Sequence, residues 1–380
     1  MTITPHMEEW RSPGTYLKAK ALSLIELDNR TAQRRLFTEI QSSKARSALG
    51  LSATPTPYIP RVIASGSPDT RREKSLVFRS CTKIPGLRQL RYASSTVKPS
   101  LFDELKSSGQ NVIVSASRGD GIAILAMNFQ AKKNALSKTF VEDFSKAVSE
   151  LEKDDKSIVA VVCSLVPNVF CAGADLKERA EVPDEKTPAL VGGLRSLFQR
   201  IYALPFPVVA AVDGSALGGG LELALACDVR FVGNLPRSQI GLIETQWALL
   251  PGAGGSQRLP RLIGVSKAKE LMFAARRLNP VQAAELGIAN AVVNPDEVPD
   301  EWKDKPALYR SLEYASELTS KGPIALRQLK RAVNEGLSSG SLERGLEVEG
   351  ACYRILVPTR DRKEGMKAFA EKRAPIYHGH

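Results

Sequence analysis

The sequence predicts an α/β fold: a covered sheet of alternating strands and helices, closed by a late block of helices. Three observations carry this. The runs "SIVAVVCSL" and "FPVVAAVDG" are continuously apolar and short, as strands buried on both faces require. Strand-like and helix-like segments alternate to about residue 240. After "LLPGAGGSQRLP" the periodicity becomes helical and stays so to residue 380.

Three regions follow along the chain. Residues 1–104 form an expected disordered basic leader, with Arg- and Ser-rich, acid-poor stretches suited to a mitochondrial transit segment at about 61–95. "LRYASS" resembles a matrix-processing site, with Arg91 two residues before a cut after Tyr92, so the expected location is the mitochondrial matrix. Some 60 residues precede that segment, although such signals are usually terminal. Residues 105–304 are the expected core and 305–380 a helical region suited to docking or oligomerisation.

Within the core, "NVIVSASRGDGIAILAMN" alternates, turns at Gly119-Asp120-Gly121 and alternates again, which predicts a β-hairpin. "LSKTFVEDFSKAVSELEKDD" places Phe140, Phe144, Ala147, Val148 and Leu151 on one helical face. "SKAKELMFAARRL" predicts a helix. "NPVQAAELG" predicts another, with Asn279 as N-cap, Pro280 in the first turn and Gly287 as stop. Three or four further helices follow residue 305.

Bulk composition excludes several function classes. The net charge is +12, but residues 1–100 hold 17 Lys/Arg against 7 Asp/Glu, and the remainder holds 36 against 34. The basicity therefore belongs to the leader and says little about the ligand of the body. Cysteines at 81, 163, 171, 227 and 352 form no CxxC pair, which argues against a disulfide framework or a thiolate metal site. The three histidines, His6, His378 and His380, sit at the chain ends, so neither a Ser-His-Asp triad nor an HExxH metal site lies in the body. No apolar run approaches the roughly 18 residues of a membrane span. Carboxylates are left as the main groups for proton transfer.

Three glycine-flanked pieces carry that chemistry. In "ALGGGLELALACD", Glu222 stands among Leu and Ala just past three glycines, in the first turn of a buried helix if the helix begins near Gly218-Gly219. Burial raises such a carboxyl's pKa and first-turn amides lower it. The same glycines let a ligand reach backbone N–H groups. A carboxylate that merely serves the helix dipole is the alternative for this segment alone. In "FCAGADLKER", Gly173 permits a tight turn, the Ala174 N–H is free to face a ligand, and Asp175 is a candidate N-cap. In "IGLIETQWALLPGAGG", Glu244 lies at a strand end before a Pro/Gly loop. Two carboxylates and two backbone donors suffice to add water across a double bond conjugated to a thioester. Each donor is worth roughly 3 kcal/mol to the enolate-like oxygen.

These motifs, with "DRKEGMKAFAEKR" near the end, resemble the crotonase (enoyl-CoA hydratase/isomerase) superfamily over about residues 110–380. "FCAGADLKERA" and "ACY…PTRDRKEG" weigh towards its 3-methylglutaconyl-CoA hydratase subgroup. The resemblance implies a crotonase-like spiral of ββα units with a C-terminal helical oligomerisation region, assembled as a homotrimer or a dimer of trimers. It implies Gly219 and Ala174 as oxyanion donors, Glu222 as the carboxylate that orients water and Glu244 as the one that protonates the α-carbon. It implies a CoA site lined by Ala172, Asp175, Leu176 and Lys177, with Phe369 and Lys372 reaching a neighbouring subunit's CoA. CoA is then part of an acyl-CoA substrate, and no separate cofactor or metal is implied. The expected activity is hydration of an enoyl-CoA, foremost 3-methylglutaconyl-CoA in leucine degradation. The alternatives are a short-chain hydratase of fatty-acid β-oxidation and an RNA-binding relative with minor catalysis.

Three departures stand out. "VRFVGNLPRSQI", between Asp228 and Gly241, is about two residues longer than the family norm and threatens to displace Glu244. Phe129 replaces an arginine common near the CoA phosphates, with Lys132 and Lys133 as compensating cations and Lys133 the candidate. The lysine-studded helix of the RNA-binding relative is matched here by Lys138, Glu142 and Lys146, so its middle position is acidic. The cation for a second substrate carboxylate is left open among Lys132, Lys133 and Arg179.

Overall fold

The computed structural model describes residues 109–115 and 120–380. The leader expected over residues 1–104 lies outside them. A hairpin opens the fold: β1 (Val112–Ser115) pairs antiparallel with β2 (Ile122–Met127). The Asp120 carboxylate accepts the Ile122 amide at 3.0 Å at the start of β2; Gly119 of the expected turn lies outside the described residues. Helix α1 (Lys138–Glu152) follows, capped by the Ser137 hydroxyl, and buries Phe140, Phe144, Ala147, Val148 and Leu151, the face its periodicity predicts.

Next come β3 (Val159–Ser164), β4 (Val169–Cys171), α2 (Leu176–Ala180), α3 (Thr187–Ala203), β5 (Val208–Val212) and β6 (Ser215–Leu217). Then follow α4 (Gly219–Ala226), β7 (Val229–Gly233), β8 (Ile240–Gly241), α5 (Gly255–Ile263), α6 (Val265–Phe273), α7 (Pro280–Glu285) and β9 (Ala291–Val293). In α7 the predicted Asn279 cap forms, as a capping box with Gln282.

The strands form two sheets. The larger runs β1-β2-β3-β5-β7-β9 and is parallel from β2 onward. Every residue of β2, β3 and β5 is buried, because both faces are covered. Ala123, Leu125 and Met127 of β2 join one core with α1, α3 and α4, while Ile122, Ile124 and Ala126 join a second core on the opposite face. That second face is covered by α8 (Pro306–Thr319), whose first turn is held by buried Asp213. The Asp213 carboxylate accepts the Ala307 and Leu308 amides at 2.8 and 2.9 Å. Burial still pushes its pKa up to about 7.

The smaller sheet, β4-β6-β8, is parallel, and its strands are only two or three residues long. It is the element that organises the site. The chain leaves its three C-terminal ends into Ala172–Ala174, Gly218–Glu222 and Leu242–Glu244, so all three glycine-flanked pieces emerge at one edge. Ligands of parallel α/β sheets bind at that edge.

The longer stretch before Gly241 does not disturb this arrangement. Its extra residues fold into a turn at Pro236 and Arg237, closed by Ser238 N–H to Leu235 O at 3.3 Å. Beyond it, Ile240 and Gly241 keep their parallel register with Ala216 and Leu217, and Gly218 N–H donates to Gly241 O at 2.8 Å. After α8 come α9 (Pro323–Ser338), α10 (Leu342–Leu356) and α11 (Arg360–Ala370).

Candidate active site

Helix α4 is apolar all round and all eight of its residues are buried, Glu222 included at 3 % exposure. A carboxylate is tolerated there because it is paired. Its Oε1 accepts two backbone amides, Ala253 at 2.8 Å and Gly255 at 2.7 Å, from the loop that leads into α5. Burial raises the Glu222 pKa, while those two amides, then Arg258 and Arg179, oppose the rise.

Glu244 opens a short 3-10 turn, Glu244–Trp247, just beyond β8. Its two carboxylate oxygens are buried and accept no hydrogen bond among the described residues. Its carboxylate lies against the start of α4: a Cβ on Gly218 would sit 3.3 Å from Oε1. Gly218 has φ 53 and ψ −123, a backbone conformation that glycine adopts freely. Burial, and next the charge of Glu222, push the Glu244 pKa up to about 7. The two carboxylates therefore border the same turn of α4, within electrostatic reach of each other.

The expected donors lie beside them. Gly219 is the first residue of α4, so its N–H has no partner within the helix. A Cβ on Gly219 would be 3.8 Å from Ala174 N. No acceptor among the described residues takes either N–H. The close approach depends on Gly173, at φ 89, where any Cβ would come within 2.5 Å of Leu217 O and 3.3 Å of Gly219 N.

Outside this centre is an open cleft lined by Lys132, Ala135, Ala174, Asp175, Leu176 and Lys177. Asp175 caps α2 by accepting the Glu178 amide, as expected, and also accepts Lys132 Nζ at 2.7 Å. Lys132 holds the Asp175 pKa below the usual carboxylate range. Ala172 is exposed beside this cleft, and its N–H donates to Lys133 O at 3.2 Å. Lys133 itself does not line the cleft; its exposed side chain leaves from a left-handed residue at φ 53. Phe369, at 87 % exposure, lines a different pocket, between α9, α10 and α11, and Lys372 follows α11 at φ 56. A single chain therefore gathers the catalytic candidates and Ala172–Lys177, but not Phe369 and Lys372.

Several contributors escaped the sequence reading. The Ala253 and Gly255 amides carry no side-chain signature. Asn134, fully buried, donates from Nδ2 to Ser164 Oγ and Phe170 O and accepts the Phe129 amide at 2.7 Å, which fixes the loop holding Lys132. Of the three cations left open by the sequence, Arg179 is the one near both carboxylates, and its Nε is buried with no partner among the described residues. On α1, Lys146 is ion-paired to Asp143 at 3.3 Å. Among the described residues no His/Cys/Asp/Glu group is arranged for a metal ion, and no helix is long and apolar enough to cross a membrane.

The model of the enoyl-CoA hydratase/isomerase family matches residues 117–380. The chain belongs to that family. It is similar to human mitochondrial methylglutaconyl-CoA hydratase, 45% identical over 260 residues that cover 68% of this chain and 74% of the relative. It is also similar to the mitochondrial enoyl-CoA hydratase domain-containing protein 2 of Bos taurus, 41% identical over 321 residues, covering 84% and 99%. A solved enoyl-CoA hydratase from Bacillus anthracis superposes with a TM-score of 0.65 at 38% identity, covering 71% of this chain and all of that one. The fold is the α/β crotonase fold, and the chain is an enzyme of the enoyl-CoA hydratase type.

Proposed function

We propose that the enzyme hydrates 3-methylglutaconyl-CoA, as a mitochondrial enzyme, with Glu222, Glu244, Ala174 and Gly219 as its catalytic groups. One observation carries the mechanism: two buried carboxylates border the same helix turn as two unpartnered amides. The thioester oxygen takes the Ala174 and Gly219 amides, which stabilise it as electrons move onto it. Water bonds through its oxygen to the β-carbon while Glu222, anchored on one oxygen, receives the water's proton with the other. Glu244 gives its proton to the α-carbon, and the net change is one water added. Proton return from Glu222 to Glu244 through solvent resets the pair. The raised pKa of Glu244 suits a proton donor near neutrality.

Arg179 supports an acyl chain that ends in a carboxylate. Its Nε is buried without a partner among the described residues and its charge acts on both Glu222 and Glu244, which supports it as the cation for such an acid. The name of the human relative points the same way. Ala172, Asp175, Leu176 and Lys177 would line the CoA entry, with Lys132 or Lys133 near the phosphates. Exposed Leu329, Leu337, Leu342 and Leu346 on α9 and α10 support self-association through the C-terminal helices. Such an assembly would let Phe369 and Lys372 serve a neighbouring copy's site. The basic leader and the mitochondrial names of the relatives support import, with the matrix as the destination.

The test is hydration of 3-methylglutaconyl-CoA and of crotonyl-CoA by residues 96–380. A clear preference for the first is expected. A preference for crotonyl-CoA would replace this reading with short-chain hydration.

A further inference from the structure

We propose that Arg258 is a positioning residue that holds Glu222 in place from behind the Ala253–Gly255 loop. This rests on the hydratase reading above. Arg258 lies one turn into α5, and its guanidinium turns back under the loop. Nη1 donates to Ala253 O at 3.2 Å and packs against the backbone of Gly254, leaving no room for a Cβ there. The outer end is held by α3: Nη2 donates to Gln199 Oε1 at 3.0 Å, and the guanidinium lies over the Tyr202 ring, 5.6 Å from its centroid. The two amides on the other side of the same loop grip Glu222 Oε1. A continuous path therefore runs from α3 through Arg258 and the loop to the carboxylate.

The charges fit this path. A guanidinium stays protonated at any working pH and is costly to bury without a counter-charge. Among the described residues Arg258 makes no ion pair within 4.0 Å. The charge that opposes it is Glu222, across the loop. Glu222 in turn faces the Ala253 and Gly255 amides, Arg258 from α5, Arg179 from α2 and the like charge of Glu244. Remove Arg258 and the loop loses its support while Glu222 loses an opposing charge.

The test compares the parent with Arg258→Gln, which keeps a hydrogen-bonding group without charge, and Arg258→Lys, which keeps charge without the planar fork. Each is assayed for hydration across pH, and the Glu222 carboxyl is titrated by carbon NMR, assigned with Glu222→Gln. In Arg258→Gln the Glu222 titration and the acid limb of kcat should move up by about one pH unit. There kcat should fall about 10-fold or more, with KM little changed. Arg258→Lys should restore the acid limb and recover only part of kcat. An unmoved Glu222 titration in a folded Arg258→Gln overturns the proposal. If Arg258→Gln does not fold, Arg258→Lys decides: parental kcat overturns the proposal, and a several-fold lower kcat at constant KM supports it. Failure of the hydratase reading is distinct, because the parent and Glu222→Gln would then hydrate equally.

Discussion

Glu222 Oε1 accepts the Gly255 amide at 2.7 Å, although 33 residues separate them. That bond occupies one carboxylate oxygen and fixes the direction of the other. Glu222→Gln keeps the size but loses the base, and its hydration rate should fall by about 10² to 10⁴. Steady-state assays check this, with thermal unfolding showing that the fold is kept.

Glu244 gives a pH signature. Acting as proton donor, it must be protonated, so hydration should decline as pH rises through about 7, the value to which burial and the Glu222 charge push it. The stability effect has the same sense. Between the ordinary 4.5 and about 7 the folded chain keeps a proton that the unfolded chain releases. This contribution is therefore full below pH 4.5 and is lost as pH rises through 7. Glu244→Gln should unfold with a shallower pH dependence over that window, measured by denaturant titration at several pH values.

Arg179 predicts substrate choice. Arg179→Met should lower kcat/KM for 3-methylglutaconyl-CoA by about 10- to 100-fold, consistent with a lost charged hydrogen bond of about 1.5 to 3 kcal/mol. Crotonyl-CoA, which has no second carboxylate, should be hydrated nearly as before. Parallel kinetics on the two thioesters read the difference.

Asp213 predicts stability away from the site. It caps the first turn of α8 from the turn after β5. Asp213→Ala should cost about 0.5 to 2 kcal/mol, the range for losing a side chain that caps a helix start. Chemical denaturation measures it.

The legible parts of the fold are those with strong local patterns. The buried face of α1 repeats at helical spacing, and β3 and β5 are apolar throughout because helices cover both sides of the sheet. The β4-β6-β8 sheet was not legible, since strands of two or three residues have no period to read. Glu222, Glu244, Ala174 and Gly219 stood out through their glycines and their apolar surroundings. Their partners did not, because backbone amides such as those of Ala253 and Gly255 look alike in any sequence. The neighbouring lysines show a similar gap: successive left-handed residues Lys133 and Asn134 turn the chain, and Lys132 is the one that meets Asp175. The lengthened stretch near Pro236 raised doubt about Glu244, yet a surface turn absorbs it because β8 pairs beyond it.

The most direct measurement is the hydration rate of 3-methylglutaconyl-CoA by the parent, the two single Gln variants and the Glu222→Gln/Glu244→Gln double variant. If the carboxylates act as one unit, the double variant should be about as slow as the worse single variant. A double variant that kept the parental rate would show that neither carboxylate carries the chemistry.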